Sequence, residues 1–158
     1  MHQEGSGWSR THHPASTIIA CRAYLKRKSF ACTEGALATQ PYSINLDTRF
    51  APLELIDIPA LVNACKEPWH NQTLCRVNDS VVRLGVLKGE FHWHKHNKED
   101  EFFYVVEGRF FIDLEGRTFE LTARQGLMVP KGVMHRTRSP ECTVVLMIEG
   151  AGVVPTGD

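Results

Sequence analysis

Three histidines alternate along Phe91-His92-Trp93-His94-Lys95-His96, and Glu101 follows five residues after the last. In an extended chain, residues two apart share a face and lie about 6.6 Å apart. His94 and His96 can therefore converge on one ion at about 2.0–2.1 Å from each nitrogen, and His92 shares their face. Glu101 opens a segment whose alternate members, Phe103 and Val105, face with it. A carboxylate directed into an apolar interior needs a partner, and a cation is one. A further histidine, His135, stands just past Pro130-Lys131-Gly132, at the head of an extended run toward Thr137. Imidazole with carboxylate suits Fe, Mn, Ni, Zn or Cu, and two histidines with one carboxylate form the facial set of non-haem iron oxygenases. One histidine on an apolar strand more often serves as a hydrogen-bonded core residue. The pair, the following glutamate and the third histidine together favour an ion.

Other residues offer less. His92 is a candidate to support a ligand from behind, to meet substrate, or to stand at the mouth of the site. Arg109, Arg136 and Arg138 are candidates to bind an acidic substrate, Arg136 being the one beside His135. Asp79, Glu90, Glu99 and Asp100 read as turn residues, and no second buried carboxylate is spaced for an acid/base pair. Gly85 and Gly89 form no phosphate loop, since no Lys-Ser/Thr follows them. The five cysteines, an odd count without a C-x-x-C pair, argue against a disulfide framework and for a reducing, cytoplasmic setting.

These residues sit in the last hundred positions, where the hydrophobic period is two. Short runs at Val81–Leu87, Phe91–His94, Phe102–Glu107, Phe110–Leu114, Thr118–Thr122, Leu127–Val129, Met134–Thr137 and Thr143–Ile148 are punctuated by turn pairs such as Lys88-Gly89, Glu107-Gly108, Glu115-Gly116 and Ser139-Pro140. This predicts an all-β sandwich or barrel. Before it, Ile58, Leu61, Val62 and Cys65 fall at helical spacing behind Asp57 and Pro59, which predicts one short helix over 57–66. Residues 1–41 show no apolar periodicity and carry five Lys+Arg against two acids. They read as an N-terminal extension, flexible or a targeting segment for organelle import, with one domain over 42–158.

The 158 residues suit one domain. Eighteen basic residues balance eighteen acidic ones, so the chain lacks the positive excess that draws nucleic acid. Its longest apolar run, Val144–Ile148, is far short of the roughly 20 residues of a membrane span, so neither nucleic acid nor membrane is an expected partner.

The run His94-x-His96-x4-Glu101-x6-Gly108 resembles the first motif of the cupin superfamily, and Pro130-x-Gly132-x2-His135 resembles the second. The two motifs span 89–108 and 124–139. The family's leading glycines would fall at Lys88 and Arg124, with Gly89 and Gly126 nearby, and its closing asparagine at Ser139. These departures touch turns and strand ends and spare the ligands. The resemblance implies a double-stranded β-helix, or jelly-roll, barrel holding one divalent transition metal (Fe, Mn, Ni or Zn) on His94, His96, Glu101 and His135. It further implies a small-molecule enzyme of dioxygenase or isomerase type. The alternatives are a small-molecule or sugar-binding and sensing cupin without turnover, or a barrel that the metal merely stabilises. Sheet edges that need covering point to a homodimer.

Overall fold

A computed structural model describes residues 42–158, so the expected N-terminal extension lies outside the described residues. Among the described residues, eight strands and one helix follow one another. Strand β1 (Ser43–Asn45) precedes helix α1 (Ile58–Ala64), followed by β2 (Trp69–Val77) and β3 (Ser80–Glu90). The remainder is β4 (Glu101–Glu107), β5 (Arg109–Leu114), β6 (Arg117–Thr122), β7 (Gly126–Val129) and β8 (His135–Gly150).

The turns explain the hairpins. Asn78-Asp79 joins β2 to β3 with Asn78 at φ 53°, and Glu115-Gly116 joins β5 to β6 with Gly116 at φ 74°, left-handed values that asparagine and glycine accept readily. Strand β8 is shared between two layers. Its first residues pair with β5 (Asp113↔Arg136, Leu114↔His135), and its later ones lie between β3 and β4 (Val81↔Glu149 and Glu101↔Glu149). The layers are thus β1-β2-β3-β8-β4-β7 and β6-β5-β8. Among the described residues no pairing closes them into a complete ring.

Between the layers lies an apolar interior that includes Trp69, Phe91, Phe103, Phe110, Ile112 and Met147. The outer face of β2, β3 and β8, with Leu74, Leu84, Val86 and Val144, is covered by Ile58, Leu61, Val62 and Cys65 of the helix segment. Helix α1 starts where expected: the Asp57 side chain accepts a hydrogen bond from the Ala60 amide, and proline follows in the first turn.

Three features depart from the sequence reading. Strand β2 was not expected, because its buried side chains include Asn71, Gln72 and Thr73, which break the apolar alternation. Phe91–His94 is irregular backbone, with only His94 bridged to His135. The expected break at Ser139-Pro140 is instead an irregularity inside β8. There the register jumps from Gly89↔Ser139 to Leu87↔Thr143, and Pro140 sits in the bulge where no ladder donor is required. Cys65 and Cys75 are free thiols, and Cys142 is disulfide-bonded, a pairing the irregular spacing did not announce.

Candidate metal centre

The motif residues converge. His94 and His135 face each other across a two-way bridge, each amide donating to the other's carbonyl at 2.8 Å. His96 is fixed through its carbonyl, which accepts the Gly132 amide at 2.7 Å, and Gly132 takes φ 79° in the Pro130–Gly132 turn. Asp100 pins that turn by accepting the Lys131 amide at 2.9 Å. Glu101 begins β4, its face set by pairing with Val129 on one side and Glu149 on the other. Arg124, where the second motif has glycine, adopts φ 72°, so it holds the glycine-like conformation at a cost of about 1–2 kcal/mol.

The donor atoms of His94, His96, Glu101 and His135 all lie within 4.8 Å of one another, and all four residues are buried. His96 Nε2 and His135 Nε2 each stand 3.4 Å from Glu101 Oε2. Two ligands about 2.1 Å from a shared ion, at angles between octahedral and tetrahedral, would be about 3.0–3.4 Å apart. The 3.4 Å contacts are long for a hydrogen bond, and His96 Nε2, His135 Nε2 and Glu101 Oε2 are buried without hydrogen-bond partners. An ion at their common focus would satisfy all three. The rings are already presented for it. His94 Nδ1 lies 3.1 Å from the His92 carbonyl and His135 Nδ1 lies 3.0 Å from the Val133 carbonyl. A carbonyl only accepts, so each Nδ1 carries the proton and each Nε2 keeps its lone pair.

The electrostatics agree at His94 and Glu101, whereas His135 is drawn toward its charged form. Burial, reinforced by His135, lowers the His94 pKa to about 4, which keeps this imidazole neutral. Burial alone would raise Glu101, but His135 and His96 outweigh it and hold the carboxyl down at about 2, ionised. Burial likewise opposes a charge on His135, but Glu101 and the Val133 carbonyl raise its pKa above the usual histidine value.

The structure adds groups that sequence spacing did not reveal. Glu149 is 3 % exposed, stands opposite Glu101 in the β4–β8 ladder, and is bonded to the buried Arg83. Sequence spacing revealed no second buried carboxylate for an acid/base pair, and the structure supplies one beside Glu101. Burial and then Glu101 push Glu149 up to about 8, with Arg83 opposing. Arg83 also donates to Thr73 Oγ1 at 2.8 Å. No local motif signals these partners, since Arg83 and Glu149 are 66 residues apart.

His92 is exposed at the rim. Its ring is 5.4 Å from that of His94, and its Nε2 is 2.8 Å from the Thr156 carbonyl. Arg136 points to the face opposite His135, where it bonds Asp113 at 2.9 Å and Glu90 at 3.1 Å and lies over Trp93. Arg138 bonds Asp113 as well, and Arg109 pairs with the exposed Glu120 and Glu141. None of the three arginines lines the interior cavity beside the histidines. A second group, Cys65, Glu67 and His70, has donor atoms equally close, but it is half-buried to exposed and Ser43 occupies His70 Nδ1.

With the geometry in place, comparison with known proteins decides the family. The Cupin domain family (Cupin_2) matches residues 81–149, the span that contains all four clustered residues. The uncharacterised protein YdbB of Bacillus subtilis (strain 168) is 45% identical over 91 residues, 57% of this chain and 80% of that protein. The chain is a cupin. A cupin-2 domain containing protein of Shewanella frigidimarina superposes with a TM-score of 0.56 at 29% identity, over 60% of this chain and 92% of that one. Polyketide synthase CurC of Streptomyces cyaneus is 54% identical over 60 residues, 38% of this cupin and 37% of the synthase. The mostly β, two-layer arrangement described above fits the cupin jelly-roll.

Proposed function

We propose that this cupin is a metal-dependent small-molecule enzyme, of dioxygenase or isomerase type, with one divalent transition metal (Fe, Mn, Ni or Zn) held by His94, His96, Glu101 and His135. The observation that carries this reading is the convergence of three buried, unpartnered donor atoms on one point. An ion bound there would act as a Lewis acid toward an oxygen-bearing substrate. The protein's own groups would do the rest. Glu101 would supply the negative charge, and the His92 and Val133 carbonyls would orient two of the imidazoles. Phe91 and Phe103 would keep the adjoining cavity dry, which strengthens every polar interaction within it.

A binding or sensing cupin without turnover is the second reading. It is favoured by one observation: apart from the cluster members themselves, the cavity lining offers no carboxylate, lysine or histidine as a general base. Elemental analysis of protein purified without added metal, joined to oxygen-uptake and isomerisation assays on the loaded protein, tests both. About one metal per chain with turnover supports the enzyme. Metal without turnover supports the binding module, and no metal removes both.

A further inference from the structure

The cavity lined by His94 and Glu101 measures about 30 Å³, room for about two water molecules. A substrate of any size does not enter until part of the wall moves. The lining residues lie on paired strands, in the packed core or on the His94–His135 bridge, apart from Pro155. Pro155 belongs to the segment after β8 and to no strand. Ile44 stands at the same cavity, but it is laddered to Asn71 of β2.

The segment 153–158 has an inner and an outer side. Val153 is buried and Pro155 and Gly157 are half-buried, while Val154, Thr156 and Asp158 between them are exposed. Val154–Gly157 is a tight turn, closed by the Gly157 amide on the Val154 carbonyl at 2.8 Å. Proline holds its second place and glycine, at φ 89°, its fourth, the positions these residues favour in such turns. The tip is thus preformed and moves as a unit. It lies flush on the run 92–97: a Cβ at Gly157 would meet His94 Cβ at 2.6 Å and the Lys95 carbonyl at 3.2 Å. Around that contact, the Thr156 carbonyl is 2.8 Å from His92 Nε2, the Asp158 amide donates to the Lys95 carbonyl at 3.1 Å, and Asp158 Oδ2 accepts the Asn97 amide at 2.7 Å. All these ties end on the stretch that carries His94 and His96.

The base of the segment is held differently. Val153 is 4 % exposed, its amide donates to the Gly150 carbonyl at 3.1 Å, and its carbonyl accepts from the buried Arg83 at 3.4 Å. A fixed base and a rigid tip held by a few solvent-facing hydrogen bonds make a hinged element, and such elements open at far lower cost than the sheet beneath them.

We propose that residues 154–158 are a strap that shuts the cavity beside His94 and swings off to admit substrate. The inference rests on the clustered residues being the working centre, as read above, and adds how that centre is reached.

Diethyl pyrocarbonate tests it, since this reagent carbethoxylates an imidazole nitrogen with a free lone pair and is too large for a 30 Å³ cavity. The full chain is treated free of metal, and each histidine is timed by peptide mass spectrometry, with His70, half-buried on β2, as the reference. In the parent, His94 should react much more slowly than His70. Asp158→Ala removes the acceptor for Asn97, and Gly157→Ala forces the tip off His94. Each should speed His94 roughly tenfold and leave His70 unchanged. A His94 rate that rises in neither variant, that rises only together with His70, or that already matches His70 in the parent would overturn the strap. Amide hydrogen exchange asks the same of the parent without substitution: the Asn97 and Asp158 amides should exchange together, roughly a hundredfold faster than those of Val145 and Met147 in β8. Protection equal to that of β8 would also overturn the strap. Zinc(II) added at one per chain then tests the metal reading by itself. Shielding of His94 in Asp158→Ala would uphold that reading and its absence would sink it, while the metal-free rates decide the strap in either case.

Discussion

At the scale of single residues, the buried carboxylates Glu101 and Asp113 meet positive or polar groups brought from elsewhere in the chain. Glu101 is 6 % exposed and stays ionised because two imidazoles lean on it. Asp113 shows the same logic on the outer face. Although burial opposes its charge, Arg138, Thr118 and Arg136 hold its carboxyl down at about 2. A carboxyl whose pKa is depressed by folding contributes stability above its unfolded value of about 3.9, and that contribution fades as pH falls toward 2. Asp113→Asn should therefore cost about 1–2 kcal/mol at pH 7, a figure discounted because both arginines are partly exposed. In denaturant melts the gap to the parent should be constant between pH 5 and 8 and close by about pH 2. A gap that persists undiminished at pH 2 would mean that lost packing, not charge, is responsible.

At the scale of elements, the four clustered residues are placed by turns as much as by strands. Gly108, between β4 and β5, has φ 91°, and a Cβ there would meet Thr143 Oγ1 at 2.7 Å and the Cys142 carbonyl at 3.0 Å. Gly116 has a similar φ of 74° with nothing within 4 Å. Gly116→Ala should cost only the left-handed penalty, about 1–2 kcal/mol. Gly108→Ala should cost at least twice that, because backbone must also move, and urea denaturation of the two variants would show equal losses if the crowding were unimportant. The same elements mark what the sequence could convey. The four clustered positions were legible because the paired motifs are local and their residue types rare in apolar strands. The helix was legible from Asp57, Pro59 and the stripe Ile58, Leu61, Val62 and Cys65. Strand β2 was hidden because Asn71, Gln72 and Thr73 turn polar groups inward. Glu149 and Arg83 were hidden because their partnership exists only after β3, β8 and β4 have paired.

At the scale of the whole molecule, the two layers enclose the site from the sides and leave a mouth where the chain's last residues cross. Pro155 lines the cavity, and Asp158 is tied to Asn97 and Lys95. No described helix is long and apolar enough to cross a membrane. Edge strand β7 exposes Met128, and Trp93 and Met134 are half-exposed nearby in sequence to the clustered histidines. We propose that a second copy covers such apolar surface in a homodimer. Light scattering at micromolar concentration should give twice the 17.8 kDa of one chain, and a value at 17.8 kDa would rule the dimer out.

The central claim is that His94, His96, Glu101 and His135 close on a single ion, and anomalous X-ray diffraction from crystals of metal-loaded protein tests it most directly. Data collected on either side of the metal's absorption edge should show one strong peak per chain. It should lie about 2.0–2.2 Å from the Nε2 atoms of the three histidines and from Glu101 Oε2. A peak at Cys65, Glu67 and His70 instead, or none within bonding distance of Glu101, would contradict the account.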